Sequence, residues 1–395
     1  MLLIVCCGGR FTVAQDWPQH LGPGRNGVYM GMGRTPAGLI WKKPVGQGFS
    51  PPVIGQGKLI VFHRQSNNEV VEAWDPATGA KIWSYAYPTA YRDDFGFDEG
   101  PRAAPLIDSG RVYTLGAEGQ LHCVNLADGK KVWSEDTHAK FRVRKGYFGA
   151  ASSPVIDGNR LLMNAGGATG AGIVAFDKSN GKVMWTAGED EASYSSPVVA
   201  TLGGLKRALF LTRAGLVDID PETGKIRYQM PWRARSQASV NAATPVVAGD
   251  ILFLSASYGT GAIALEGKGT QYRKLWSSDD AISNHYSTSV IFNGYLYGFH
   301  GRQEEGQELR CVDLKTGKVQ WSKGGVKAGT VTLAGDTLLV LQENGELIVA
   351  KADPKQFSAQ SKHGLLGGTV RSYPALSDGR IFLRNGDTMA CYRLQ

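Results

Sequence analysis

Five segments of this 395-residue chain are variants of one eleven-residue phrase. They read AWDPATGAKIW (73–83), CVNLADGKKVW (123–133), AFDKSNGKVMW (175–185), DIDPETGKIRY (218–228) and CVDLKTGKVQW (311–321). Each leaves a strand, passes a polar turn rich in Asp, Asn, Ser and Thr, and reaches a glycine. A second strand then ends on an aromatic residue. Asp and Asn side chains bond turn backbone and glycine accepts positive φ, so the phrase encodes a tight reversal between strands. A sixth copy, ALEGKGTQYRKLW (264–276), is stretched by two residues. Self-similarity of this kind commits a chain to a repeat architecture, in which each unit buries its faces against its neighbours.

The aromatic column extends beyond these copies: Trp41, Trp83, Trp133, Trp185, Tyr228, Trp276, Trp321 and Phe357. A second column precedes it, in which an apolar strand, a glycine turn and another apolar strand recur at 52–62, 105–115, 154–164, 197–211, 245–255, 289–299, 330–341 and 374–384. Six of these eight hairpins begin with proline, which is tolerated at the first residue of a strand. Eight hairpins and eight aromatics predict an all-β fold, an eight-bladed β-propeller of four-stranded blades. Trp41 arrives before the first hairpin, whereas the C-terminal unit has no aromatic of its own. The stretch 37–45 is therefore expected to supply the outer strand of the blade made by 374–395, leaving no unpaired seam. The expected organisation is an atypical or truncated signal peptide (1–14), an N-terminal arm (15–37) outside the ring, and the propeller (38–395).

The leader reading rests on an apolar run from Leu2 to Cys7 and a small-residue cut after Ala14, although no basic residue precedes the run. It predicts a periplasmic or secreted protein. No stretch approaches the length of a membrane-spanning helix. Beyond the leader only Cys123, Cys311 and Cys391 remain, an odd number that argues against a disulfide scaffold. They share a column with Ala73, Ala175 and Ala264, where small buried residues are needed. The seven histidines form no HExxH or HxH pair. The net charge of +8 favours anionic partners.

The phrases at 75–83 and 313–321, together with strand starts of the SSPVIDG type (152–158), resemble the PQQ-like β-propeller repeat proteins. DWPQHLGPGRNGVY (16–29) is similar to the beginning of secreted bacterial members, so the resemblance spans 16–395. It implies the propeller fold. It also implies two kinds of function, because the family includes quinoprotein dehydrogenases, which use the quinone with calcium, and non-catalytic relatives such as the scaffold lipoprotein of outer-membrane β-barrel assembly. Three departures weigh against the enzyme. The repeats follow one another without long insertions to roof a cofactor, the adjacent pair Cys6–Cys7 lies in the leader, and no local motif matches calcium ligands. The expectation is a non-catalytic binding or scaffold propeller with no cofactor, acting as a monomer on an unknown protein or anionic partner. A dehydrogenase using PQQ with calcium is the alternative. A carbohydrate or small-molecule binder is the second alternative, suggested by an aromatic rim.

The connections between blades carry the candidate site. RDDFGFDEGPR (92–102) holds Asp93, Asp94, Asp98 and Glu99, weak candidates for a metal; they serve equally as the solvated face of a loop pinned by Phe95 and Phe97. Residues just before each inner strand should face the channel mouth: Arg102, Tyr147, Phe148, Tyr194, Asn241, Tyr286, Arg371 and Tyr373. Aromatic and polar groups converging on a concavity make a ligand or partner face. HAKFRVRKGYF (138–148) adds four Lys/Arg, three aromatics and no acid, which suits an anionic polymer or acidic protein better than nucleic acid in an exported chain. GPGRNG (22–27) satisfies GxGxxG but follows no strand and opens no helix, so no dinucleotide site is read from it.

Overall fold

Each copy of the phrase forms the third and fourth strands of a four-stranded antiparallel sheet, as seen in a computed structural model describing residues 16–31, 35–234 and 240–395. The leader lies outside the described residues. Blade 1 is Val53–Gly55, Lys58–Gln65, Asn68–Trp74 and Lys81–Pro88, from the inner strand to the outer. Blades 2 to 7 span 106–136, 155–187, 198–231, 246–278, 290–323 and 329–364. Blade 8 takes three strands from 375–394 and its outer strand, Pro36–Pro44, from the other end of the sequence, as expected. Backbone bonds between Thr35 and Gln395, both 2.8 Å, finish that pairing.

The turn of the phrase is built as its composition requires. The Asp75 carboxylate accepts the N–H groups of Ala77 and Thr78 at 2.9 and 2.8 Å and the Thr78 hydroxyl at 3.0 Å. Asp177, Asp220 and Asp313 do likewise in their own turns. The glycine closing the turn has φ between +67° and +75° at Gly79, Gly129, Gly181, Gly224 and Gly317. A β-bulge then interrupts each third–fourth strand ladder, as between Ala73 and Trp74 or Cys311 and Val312. Bulges sharpen local twist, and here the aromatic residue is aimed at the next blade. The Trp83 indole donates to Leu126 O at 2.9 Å, Trp133 to Lys178 O at 3.0 Å, and Trp276 to Leu314 O at 2.8 Å. Trp41 of blade 8 donates to Pro76 O of blade 1 at 3.0 Å, which closes the ring. Each ring rests on the neighbour's turn glycine: a Cβ at Gly129 would stand 2.6 Å from Trp83, and one at Gly79 2.8 Å from Trp41.

Opposite the aromatic column sits the small column. Cys123 pairs with Trp133, Cys311 with Trp321 and Cys391 with Trp41. All three thiols are free and buried, and burial pushes them up to about 11, 12 and 12 respectively, so they are packing groups rather than nucleophiles. Phe357 corrects the expected column. It precedes the outer strand of blade 7, Ala359–Gly364, and Ser361 takes the column position opposite Val349. The Asp353 turn lacks the usual glycine, and Phe357 packs on Trp321 instead, with ring centroids 5.5 Å apart.

The N-terminal arm does not lie outside the ring. Trp17 exchanges backbone bonds with Ile54 of blade 1 at 2.8 and 2.9 Å, and Pro18 O accepts Ile107 N–H of blade 2 at 2.8 Å. The Arg25 guanidinium donates to Ser153 O and Pro154 O, leading into blade 3, at 2.9 and 3.0 Å. His20 reaches Thr244 beside blade 5, and Val28–Tyr29 runs parallel to Leu333–Ala334 of blade 7. The arm therefore fills the central channel, with Trp17, Leu21 and Arg25 buried. The physical reason lies in the short inner strands, whose inward edges would leave N–H and C=O groups unpaired without it.

Replacing Gly129 by alanine forces a Cβ against the Trp83 ring at positive φ. It should cost about 2–4 kcal/mol in urea-denaturation stability. Gly57→Ala, at φ +75° but with open space around it, should cost only about 1 kcal/mol. Equal losses at both positions would show that the dock contributes nothing.

Candidate functional site: the channel-mouth cleft

Extended chain alternates its side chains, and each segment entering an inner strand uses the two faces differently. Three residues before the strand, hydroxyls point to the next blade: Ser50 to Ala103 O, Ser152 to Ser195 O and Ser195 to Ala243 O, each at 2.8 Å. Four residues before the strand, side chains face the channel. That position holds Phe49, Arg102, Ala151, Tyr194, Ala242, Tyr286 and Arg371, and all seven line one cleft of about 250 Å³. Two residues before the strand, Pro51, Ser153, Ser196 and Tyr373 line the same cleft. His20, from the arm, lines it as well.

Arg371 is held in this cleft at one nitrogen and between two rings. Its Nε donates to Glu343 Oε1 at 2.8 Å, and the Tyr286 hydroxyl donates to the same oxygen at 2.8 Å. The guanidinium lies 5.6 Å from the Phe49 ring centre and 5.4 Å from that of Phe97, within cation–π range. Arg102 stands across Phe49, 5.9 Å from its centroid, and 5.7 Å from that of Phe148. Its terminal amino group is bonded to Asp93 Oδ1 at 3.0 Å and to Asp98 O at 2.9 Å. Arg102 therefore clamps the charged loop, whereas Arg371 belongs to the cleft.

The four carboxylates of that loop do not converge, which corrects their candidacy for a metal. Asp93, its side chain wholly covered, takes Arg102 and the Phe97 N–H. Asp94 pairs with Lys145. Asp98 accepts Gly48 N–H at 3.1 Å and Gly100 N–H at 2.7 Å, and Glu99 pairs with Arg92 at 3.1 Å and Arg64 at 3.6 Å. Among the described residues no group of three or more His, Cys, Asp or Glu is placed to hold a metal ion. The loop instead holds up an aromatic ridge: Phe95 and Phe97 are each 56% exposed, and Phe95 packs on Tyr147 at 6.0 Å and Phe148 at 5.3 Å.

The cleft also contains His285, whose Nδ1 meets Gln303 Oε1 at 2.6 Å and whose Nε2 meets the Tyr258 hydroxyl at 3.0 Å. Desolvation lowers its pKa and takes that of His20 down to about 3, so both rings are neutral near pH 7. Desolvation also keeps the Tyr373 hydroxyl protonated, its pKa raised to about 12. Calcium seeks six to eight oxygen ligands, usually several carboxylates. Among the described residues the cleft lining offers one carboxylate, Glu304, which pairs with Arg302 at 3.4 Å, while Glu343 is shared between two donors. This donor set does not fit a calcium-bound quinone.

Of the eight residues expected at the mouth, Arg102, Phe148, Tyr194, Tyr286, Arg371 and Tyr373 meet in the cleft. Tyr147 stands outside on the ridge, beneath the Arg213 guanidinium at 5.9 Å. Asn241 is buried, its amide donating to Thr212 O at 2.8 Å and Trp232 O at 3.1 Å. Sequence reasoning missed Phe49, although its position four residues before the first inner strand was a sufficient signal. His20, Tyr258, His285 and Glu343 carried no such signal, because their place depends on the arm's path and on other connections.

Fold and cleft together define an eight-bladed propeller of PQQ-like repeats with a plugged channel and an aromatic cleft at its mouth. The profile of the family described as outer membrane protein assembly factor BamB matches residues 67–323 and 305–394, and the chain belongs to that family. BamB of Moranella endobia (strain PCIT) is 23% identical over 309 residues, 72% of this chain and 70% of that protein. The dehydrogenase subunit of the alcohol dehydrogenase (quinone) of Komagataeibacter europaeus is 31% identical over 132 residues, 32% of this chain and only 18% of the enzyme's length. The BamB structure from Moraxella catarrhalis superposes with a TM-score of 0.63 at 14% identity, covering 91% of this chain and 98% of that one. The quinohemoprotein alcohol dehydrogenase of Comamonas testosteroni gives 0.69 at 14% identity, covering 96% and 80%. At such identity the structural likeness establishes the fold alone.

The neutral histidines give a pH prediction. His122, stacked on Tyr87 with centroids 3.9 Å apart, is held at about 4 by desolvation, as His20 is at about 3. Both values lie below the unfolded value of 6.5, so the unfolded chain takes up protons that the native protein does not. Stability should be full above about pH 6.5 and fall as the pH drops toward 4. The histidine C2–H resonances of both residues should stay fixed from about pH 8 to 5; a midpoint above about pH 6 for either would contradict the geometry.

Proposed function

We propose that this protein is a non-catalytic binding propeller acting outside the cytoplasm, presenting the channel-mouth cleft and the Phe95–Phe97 ridge to a protein partner. One observation carries the reading: the acidic residues around the mouth are spent on holding aromatic surface in place. Asp93, Asp94, Asp98, Glu99 and Glu343 are each bonded to a cation or to turn backbone, while Phe95 and Phe97 face solvent. His285 has both ring nitrogens engaged by neighbours. General acid–base catalysis needs a group with a proton to give or take near working pH, aimed at a substrate. Exposed aromatic area beside a polar rim suits association.

Placement outside the cytoplasm is supported by similarity to an outer membrane protein assembly factor. None of the described helices is long and apolar enough to cross a membrane. The dehydrogenase reading is favoured by the quinone-type alcohol dehydrogenase match and disfavoured by the donor set of the cleft.

Titration with pyrroloquinoline quinone, with and without calcium, followed by dye reduction on simple alcohols and sugars, separates these readings. The expected outcome is no calcium-dependent binding and no turnover. Calcium-dependent binding with turnover would overturn the proposal.

A further inference from the structure

We infer that the cleft takes a carboxylate from an acidic and aromatic segment of a polypeptide partner, seating it on the terminal amino groups of Arg371. The inference rests on the binding role proposed above and names its chemistry. Arg371 is fixed on three sides, by Glu343 at Nε and by the rings of Phe49 and Phe97. Glu343 is in turn held by the Tyr286 hydroxyl. Among the described residues, the two terminal amino groups of Arg371 make no hydrogen bond, although the residue lines the cleft and its side chain is 25% exposed. A guanidinium held at Nε offers that free pair as a planar fork for the two oxygens of one carboxylate. Arg102 provides the contrast, since both its terminal amino groups are already bonded, one to Asp93 and Asp98 and the other to the Tyr91 hydroxyl.

Charge and shape choose the occupant. Among the described residues, acidic lining is limited to Glu304, which faces Arg302; the neighbouring loop carries Lys140 and Lys145, paired with Glu135 and Asp94, and Arg142 and Arg144, which have no carboxylate partner there. An anion is therefore drawn toward the mouth. The apolar surface continues beyond the cleft onto Phe95, Phe97 and Tyr147, at 56%, 56% and 36% exposure. A small aromatic acid confined to about 250 Å³ would leave this ridge bare. A peptide segment with an acid set beside aromatic side chains covers both.

A phage-displayed random peptide library, selected on the intact chain, tests the inference. The expected enrichment is Asp or Glu next to Phe, Tyr or Trp. By fluorescence anisotropy, the best selected peptide should bind Arg371→Gln about 30-fold more weakly or worse. Glu343→Gln should bind it about 3-fold or more tightly, because a competing negative charge is gone while Arg371 remains. That gain separates recognition from structural damage; thermal melts check that both variants fold. Enrichment without acids, equal binding to Arg371→Gln, or weakened binding to Glu343→Gln would each overturn the inference. Arg371-dependent binding of free pyrroloquinoline quinone with no peptide enrichment would overturn it in favour of a small aromatic acid. Non-acidic peptides that bind wild type but not Phe97→Ala would sink the carboxylate while leaving the broader role standing.

Discussion

At five of its eight junctions the ring rests on an indole packed against a turn glycine of the next blade. The contact asks for several things at once: a positive-φ turn, a bulge that swings the aromatic outward, and a small residue opposite it in the third strand. The repeated phrase supplies all of them within eleven residues, which is why its Asp, Gly and aromatic positions recur while the residues between them drift. The same contact explains the cysteines, since Cys123, Cys311 and Cys391 are simply small enough for the position opposite an indole. Where the glycine is missing, at the Asp353 turn of blade 7, Trp321 still donates to Asp353 O and a phenylalanine packs on its ring from outside the strand.

At the inner end the division of labour changes. Outer positions repeat because every blade must dock; the positions four and two residues before the inner strand vary because nothing in the ring constrains them. Serines on the intervening position tie blade to blade, leaving the alternate face free to carry Phe, Arg, Tyr or Ala. Diversity at one register beside uniformity at the next is how a repetitive scaffold can carry a non-repetitive surface. The arm deepens the asymmetry by sealing the channel, so that the mouth becomes a cleft with a floor containing His20.

Fold and closure were legible because they follow from period and order: eight hairpins, and Trp41 ahead of the first. Parts of the mouth were legible for the same reason, since Arg102, Tyr194, Tyr286 and Arg371 share one register with respect to the inner strand. Asn241 lies one residue out of that register, enough to turn its side chain into the blade. Phe49 was in register and overlooked. Phe357 was placed by spacing alone, which cannot see where a bulge falls. The roles of Glu343 and His20 were beyond reach, as each arises from contacts between segments distant in sequence. The carboxylates of 93–99 looked like ligands because sequence shows charges close together and hides the arginines that claim them.

The path of the arm carries a consequence for assembly. Residues 16–29 lie inside the ring, and Pro36–Pro44, next in the chain, is the strand that completes blade 8. The segment that plugs the hole is thus continuous with the segment that locks the door. Only the residues between Tyr29 and Pro36 separate the plug from the closing strand, so placing one constrains where the other can lie. Closure joins residues at opposite ends of the sequence, the kind of non-local pairing that folds slowly.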